Sequence, residues 1–343
     1  MRAAVLHPGA KELKVQDWPT PEPGAGEVLV RVAACGLCRT DLHYLHGLPT
    51  AKAPPIVLGH EVSGTVEAVG AGAEGFDRGA RVLLPPVLPC GTCEPCRRGR
   101  GNVCARMAML GNHRDGGFAE YIAIPANCAF PLPPNLPLEE SSVISDAGST
   151  AYHAVVNRGR VAPGEWVAVL GCGGIGLSVL QMAKAVGARI AAVDIVPAKL
   201  DAAKRLGADE VLDGSGDVPK ALRKLTGGGP DVAFEVIGHP KTIRAAVDSV
   251  RPGGRVLVVG YSEAEVPMPA GRIMFRELEV RGSLGCPLQD FPRVLALAAK
   301  GAFDLKAMVT HRVPLEGVNE GFAALDRGAP DLVRAIALPR QVT

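Results

Sequence analysis

Four cysteines fall within one short stretch. The segment CGTCEPCRRGRGNVC (90–104) places Cys90, Cys93, Cys96 and Cys104 at C-x2-C-x2-C-x7-C. Four thiolates so close together can close a tetrahedral shell around zinc with no open position, which defines a structural site. Two other readings are weaker. Four unligated thiols on an exposed loop would oxidise. A zinc-ribbon nucleic-acid binder would separate two C-x2-C knuckles by about 12–20 residues. Arg97, Arg98, Arg100 and Arg106 then read as a solvated loop face.

A second group has a different character. CGLCRTDLH (35–43) carries Cys38, Arg39, Thr40, Asp41 and His43, and GHEVSGTVEAVG (59–70) carries His60 and Glu61. One thiolate, one imidazole and one carboxylate leave zinc a fourth position for water or substrate, so the metal can act as a Lewis acid. Further along, GCGGIG (171–176) fits G-x-G-x-x-G, and Asp194 lies 18 residues past Gly176. Gly171 allows the tight turn, Gly173 close approach of a pyrophosphate, and Gly176 helix–strand packing. Gly174 and Ile175 open the helix whose N-terminus would hold the phosphates. The Asp194 carboxylate suits a ribose with two free hydroxyls and repels a 2′-phosphate, which favours NAD over NADP.

The elements needed to position these groups are legible. Up to residue 150 the chain is β-rich: EVLVRVAACG (27–36) and VSGTVEAVG (62–70) read as strands, and Pro-rich segments separate short strands. From EWVAVLG (165–171) onward, strands alternate with helices. GGIGLSVLQMAKAVGA (173–188) is a helix ending at Gly187, RIAAVD (189–194) a strand, and PAKLDAAKRLGA (197–208) a helix opened by Pro197. DEVLD, DVAFEVIG, GRVLVVG and ELEVRG supply further strands, with helices expected at 217–225 and 240–250. That alternation means a parallel, doubly wound sheet. A helix at 288–300 and a strand LVRAIALP (332–339) follow.

These motifs, in this order and spacing, give a sequence that resembles the zinc-dependent medium-chain alcohol dehydrogenase family along essentially its whole length. The resemblance rests on G-H-E-x2-G-x-V-x2-V-G (59–70), C-R-T-D-x-H (38–43), the four-cysteine lobe and GCGGIG followed by VDI. It implies an α/β chain: a GroES-like catalytic domain (1–150), a Rossmann domain (151–285) and a C-terminal return (286–343) that completes the first. It implies two zinc ions per chain, with Cys38, His60 and Asp146 as catalytic ligands. Asp146 stands in SSVISDAGSTAYHAV, where relatives carry Cys, Glu or Asp. Glu61 would sit behind the metal, and Asp41 would fix the His60 tautomer. Arg39 would contact the cofactor pyrophosphate, Thr150 the nicotinamide and Lys199 the adenosine ribose. The substrate proton would leave through Thr40, the nicotinamide ribose and His43, while hydride passes to NAD. A hydroxyl can donate and accept in turn, and imidazole titrates near neutrality.

Pro86, Met109, Tyr261 and Leu284 are the family's pocket-wall positions. PPVLPCGTC, GNHRDGGFAEY and GSLGCPLQDFP resemble a subgroup that oxidises ring alcohols, including 6-hydroxycyclohex-1-ene-1-carbonyl-CoA dehydrogenases and archaeal cyclic-ketone dehydrogenases. The substrate expected is a cyclic or bulky secondary alcohol; the alternatives are a broad primary-alcohol dehydrogenase and a non-catalytic zinc- or nucleotide-binding protein. Composition agrees with a globular enzyme. The chain has 343 residues, 47% hydrophobic and 21% charged, with a net charge of +2. That charge is too small for a nucleic-acid or membrane-surface role. No secretory h-region or transmembrane run is visible, and nine cysteines suit a reducing cytoplasm. The family implies a homodimer or homotetramer. Cys172 lies inside the cofactor turn, so its oxidation is expected to block NAD binding.

Overall fold

The computed structural model describes residues 1–340, so positions 341–343 of the expected C-terminal return lie outside the described residues. The chain divides into two compact units. The first comprises Met1–Ser149, Cys286–Gly301 and the chain from Leu305 on; the second comprises Thr150–Gly285 and Ala302–Asp304. The three residues 302–304 join the second unit, where the Asp304 backbone N–H donates to Gln181 Oε1 at 2.7 Å.

The first unit is built on a seven-stranded, mostly antiparallel sheet. Its centre is the strand Glu27–Gly36, antiparallel to Glu61–Val69 on one side and to Arg334–Leu338 on the other. Val28, Val30 and Val32 alternate into a core shared with Val62, Val66, Phe118, Phe322 and Ala337. The strand expected at 332–339 is Arg334–Leu338 of this sheet, where Ile336 faces Gly36. The two-stranded ribbon Val87–Leu88 with Ala108–Met109 closes the base of the four-cysteine lobe.

The second unit carries six parallel strands in the order Glu210–Asp213, Arg189–Asp194, Trp166–Leu170, Val232–Glu235, Arg255–Val258, Glu279–Gly282. The order reverses beside Trp166–Leu170, the first strand in sequence, and a crevice at such a reversal is where doubly wound folds bind dinucleotides. The fold is thus the Rossmann sheet plus GroES-like domain that the sequence indicates. Helix Gly174–Val186 stops at Gly187, whose φ of 93° makes it a left-handed cap.

Differences are local. The helix expected at 288–300 begins as a 3-10 turn, Leu288–Asp290, and continues as Phe291–Ala299, with Pro292 in its first turn. The strand Val309–Pro314 and the helix Val318–Asp326 carry weak signals. The strand lies at the sheet edge and ends on proline. The helix contains Gly321, where an added Cβ would come within 2.7 Å of Leu37 Cδ2.

Candidate functional site: two metal-ligand clusters and a nucleotide turn

Cys38 is the N-cap of helix Arg39–Leu45, and the third residue of that helix, Asp41, folds back on it. Asp41 is fully buried. Its Oδ2 accepts from the Cys38 backbone N–H at 3.3 Å, its Oδ1 accepts from the Gly59 N–H at 3.2 Å, and Oδ1 lies 3.4 Å from His60 Nδ1. One carboxylate thereby fixes both the thiol segment and the imidazole. With Nδ1 facing Asp41, the ring turns Nε2 toward Asp146, whose Oδ2 is 3.9 Å away. Cys38 Sγ is also 3.9 Å from Asp146 Oδ2, and Thr40 Oγ1 is 3.6 Å from the same sulfur.

Asp146 comes from the π-helical turn Ile144–Gly148, a wide turn of the kind that recurs at functional sites. Its neighbour Ser145 anchors the turn by donating to the carbonyls of Leu84 and His60. Cys38, His60, Glu61 and Asp146 each offer one ligand atom, all within 4.8 Å of one another. A tetrahedral zinc with bonds of about 2.0–2.3 Å sets its ligand atoms roughly 3.3–3.8 Å apart. The buried Cys38, His60 and Glu61 and the half-buried Asp146 therefore fit the ion.

The electrostatics suit a cation. Burial pulls the His60 pKa down, but the Asp41 charge and hydrogen bond, with Cys38, outweigh it and hold the imidazolium well above the ordinary histidine range. Burial lifts Glu61, with Arg334 opposing and Asp146 adding to the rise. Metal binding displaces such protons, so affinity falls in acid. Glu61 meets Arg334 in a buried ion pair.

The four-cysteine lobe closes as its spacing requires. Cys93 Sγ lies 3.4 Å from Cys96 Sγ and 3.6 Å from Cys104 Sγ, and Cys90 Sγ is 4.0 Å from Cys96 Sγ. These are again tetrahedral edges. Backbone N–H groups and the Thr92 hydroxyl pull the Cys90 pKa down to about 5, whereas Cys96 is pushed up to about 12, first by burial and then by its neighbouring sulfurs.

In the second unit Gly171 has a φ of 105°, and a Cβ on Gly176 would run into the Gly171 carbonyl. Both positions of the turn need glycine. Gly173 is the N-cap of the following helix, so Gly174 and Ile175 present their N–H groups at its positive end. Asp194 closes its strand and holds the turn, Oδ2 accepting from Cys172 N–H at 2.7 Å and Oδ1 from Val196 N–H at 3.0 Å. Lys199 lies in the next helix, Pro197–Arg205, and is half-buried; Thr150 is buried in this unit.

Arg39 and His43 are exposed on helix Arg39–Leu45, with Arg39 Nη2 reaching the Leu325 carbonyl at 3.5 Å. Among the wall positions, Pro86 is buried and Met109 half-buried, while Tyr261 and Leu284 are exposed. Sequence reasoning missed Arg334, which nothing in LVRAIALP distinguishes from a surface arginine. It also missed Asn112, whose Nδ2 donates to Tyr44 Oη at 2.6 Å and whose Oδ1 accepts from Ala51 N–H at 2.7 Å, tying the Thr40 helix to the next loop.

The structure revises the expectation for Cys172. Its thiol is 1% exposed, and burial, with the Asp194 charge, pushes its pKa up to about 12. A buried neutral thiol is inert. Titration of the folded protein with a disulfide reagent, followed by peptide mapping, should leave Cys172 unlabelled with or without NAD; rapid labelling in the native fold would restore the redox reading.

Residues 24–134 match the alcohol dehydrogenase GroES-like domain, and residues 174–300 match the zinc-binding dehydrogenase domain. An alcohol dehydrogenase of Geobacillus stearothermophilus is 37% identical over 330 residues, covering 96% of this chain and 97% of that protein. A solved NAD-dependent alcohol dehydrogenase superposes with a TM-score of 0.92 at 35% identity, covering 99% of this chain and all of the other. An acetophenone reductase from Geotrichum candidum, solved in complex with NAD, gives a TM-score of 0.88 at 28% identity, covering 98% and 96%. This chain belongs to the zinc-dependent medium-chain alcohol dehydrogenase family. It is an NAD-dependent oxidoreductase with a four-cysteine structural zinc site and a candidate catalytic zinc site. Among the described residues no helix is long and apolar enough to cross a membrane.

Proposed function

We propose that this enzyme interconverts a secondary, ring-bearing or bulky alcohol and its ketone, with Cys38, His60 and Asp146 as catalytic zinc ligands and NAD as hydride acceptor. The observation that carries the reading is the convergence of those three ligand atoms beside the Thr40 hydroxyl. When bound, zinc supplies Lewis acidity toward the substrate oxygen. Thr40 receives the hydroxyl proton, and His43, exposed on the same helix, releases it to water. Asp41 holds the His60 ring, and Glu61 with Arg334 sets the charge behind it. Arg39, Lys199, Thr150, Asp194 and the glycine turn hold the cofactor.

The preference for a ring-bearing substrate rests on the resemblance of the wall segments to the ring-alcohol subgroup, and an aryl-ketone reductase stands among the structural relatives. A cytoplasmic location is the reading that the cysteine usage supports, since five of the nine cysteines fall at candidate zinc-ligand positions. A homo-oligomer is supported by the terminal strand Glu279–Gly282 and its neighbours Met274 and Phe275, which are 72% and 82% exposed. The test is a panel of cyclic, aromatic, linear and CoA-linked alcohols with NAD or NADP, read as reduced-cofactor absorbance with and without a chelator. Cyclic secondary alcohols should give the highest kcat/KM. Primary linear alcohols leading the panel would sink the substrate assignment, and turnover indifferent to complete zinc removal would sink the mechanism. In the same assay H43Q should slow turnover about tenfold and regain it with added imidazole buffer; an unchanged pH–rate profile would remove His43 from the proton path.

A further inference from the structure

A cation is built into the four-thiolate lobe. Arg106 lies two residues past Cys104, and its backbone N–H donates to Cys104 Sγ at 3.3 Å. Its side chain turns back over the lobe, placing Nη2 3.5 Å from Cys90 Sγ and 2.7 Å from Thr92 Oγ1. The Thr92 hydroxyl itself donates to Cys90 Sγ at 3.7 Å. The neighbouring arginines are directed elsewhere: Arg97 donates to the Thr92 carbonyl, and Arg98 pairs with Glu94 at 2.8 Å.

This geometry has a physical purpose once the lobe is loaded. A dication held by four thiolates keeps a net double negative charge, concentrated on the sulfurs. Cys90, Cys93 and Cys96 are half-exposed, so solvent, chelators and oxidants can approach them. The other donors to these sulfurs are dipoles: Cys90 N–H to Cys104 Sγ at 3.3 Å and Cys93 N–H to Cys90 Sγ at 3.4 Å. Arg106 adds a full charge and a directed N–H to the same sulfur that Thr92 and Cys93 already serve. It cannot lose its proton near neutral pH, so it competes for the thiolate as a permanent cation.

We propose that Arg106 is a retention residue for the structural zinc. Its guanidinium offsets part of the surplus charge on the lobe and holds the Cys90 thiolate against dissociation from the metal. The proposal rests on the reading that Cys90, Cys93, Cys96 and Cys104 hold zinc.

The experiment uses the full chain loaded with zinc and mixed with excess 4-(2-pyridylazo)resorcinol, whose absorbance follows metal release. Metal analysis before mixing reports whether the lobe is occupied. R106Q should release lobe zinc about tenfold faster than wild type, the lower end of what loss of a ligand's hydrogen-bonding partner produces. R106K, which keeps the charge but not the fork, should fall between. Raising salt from about 0.05 to 0.5 M should speed wild-type release and narrow the gap to R106Q, because a charge effect is screened. In cobalt-loaded protein the thiolate-to-metal charge-transfer band should shift in R106Q, since the band reads electron density on sulfur. Equal release from R106Q and wild type would overturn the proposal. So would R106K and R106Q leaking equally with no salt dependence, which would make Arg106 a steric brace. A wild-type lobe without zinc would instead overturn the underlying reading, and the metal count tells that failure from the others.

Discussion

Replacing His60 with alanine is expected to leave the protein folded with one zinc per chain in place of two, and to lower kcat/KM by at least about a thousandfold. The proposed ligand atoms of Cys38, His60 and Asp146 come from three separate stretches: a helix N-cap, the residue preceding the strand Glu61–Val69, and a π-helical turn. No two of them are held by the same local structure, so losing the imidazole leaves a thiol and a carboxylate with too little chelate strength to retain the ion. Asp146→Ala should behave in the same way. Asp146→Cys should differ, because a thiolate at that place is a softer but competent zinc ligand, and it should keep two zinc ions and measurable turnover. The four-cysteine lobe lies elsewhere in the first unit, closed by its own ribbon, so it serves as an internal standard. Metal analysis paired with initial rates checks the prediction. A His60→Ala protein that retains two zinc ions and wild-type rates would show that these residues are not the catalytic ligands.

Two of the three proposed ligands, Cys38 and His60, are visible in the sequence because each sits in a short motif. Cys38, Thr40, Asp41 and His43 share one helical turn and its cap, and His60 with Glu61 leads into the strand Glu61–Val69 directly after Gly59, whose φ is 95°. Local chemistry dictates those backbones, so residue order alone reveals them. The Rossmann unit was legible for a similar reason: continuous apolar strands alternate with helices, and the first three of those helices are followed by left-handed glycines, Gly187, Gly207 and Gly227. Asp146 needed the family resemblance, because a carboxylate in SSVISDAGSTAYHAV has no local partner that marks it as a ligand. Arg334 and Asn112 were out of reach. The place of Arg334 depends on register, with Ile336 set opposite Gly36 and Gly36 opposite Glu61, and that of Asn112 on loop contacts to Tyr44 and Ala51, more than 60 residues away; neither leaves a trace in the local segment. Burial likewise reversed the reading of Cys172, since nothing in GCGGIG tells whether its thiol faces solvent.

Arg334→Met is expected to destabilise the first unit by about 3–5 kcal/mol, lowering its melting temperature by on the order of 10 °C. The Arg334 side chain is 6% exposed and the Glu61 side chain fully buried. The central strand ends between them at Gly36, where an added Cβ would collide with the Glu61 carboxylate, so the absent side chain is what lets the pair meet. Burial alone pulls the Arg334 pKa down, but the Glu61 charge reverses that and raises it, so the guanidinium stays charged. Methionine of similar length fills the space and leaves Glu61 without its cation. Burial already raises the Glu61 pKa and Arg334 opposes the rise, so the variant's Glu61 binds its proton more tightly still. A carboxyl that holds its proton better in the folded than in the unfolded state makes stability fall as pH rises. The deficit of Arg334→Met should therefore shrink as pH is lowered from about 8 toward 5, and the double variant Glu61→Gln/Arg334→Met should recover most of it. Thermal melts across that range, run on protein holding zinc in the four-cysteine lobe but not beside Glu61, decide the matter: a single variant as stable as wild type, or a deficit that grows in acid, would mean that the buried pair is not what holds the two strands' charges in place.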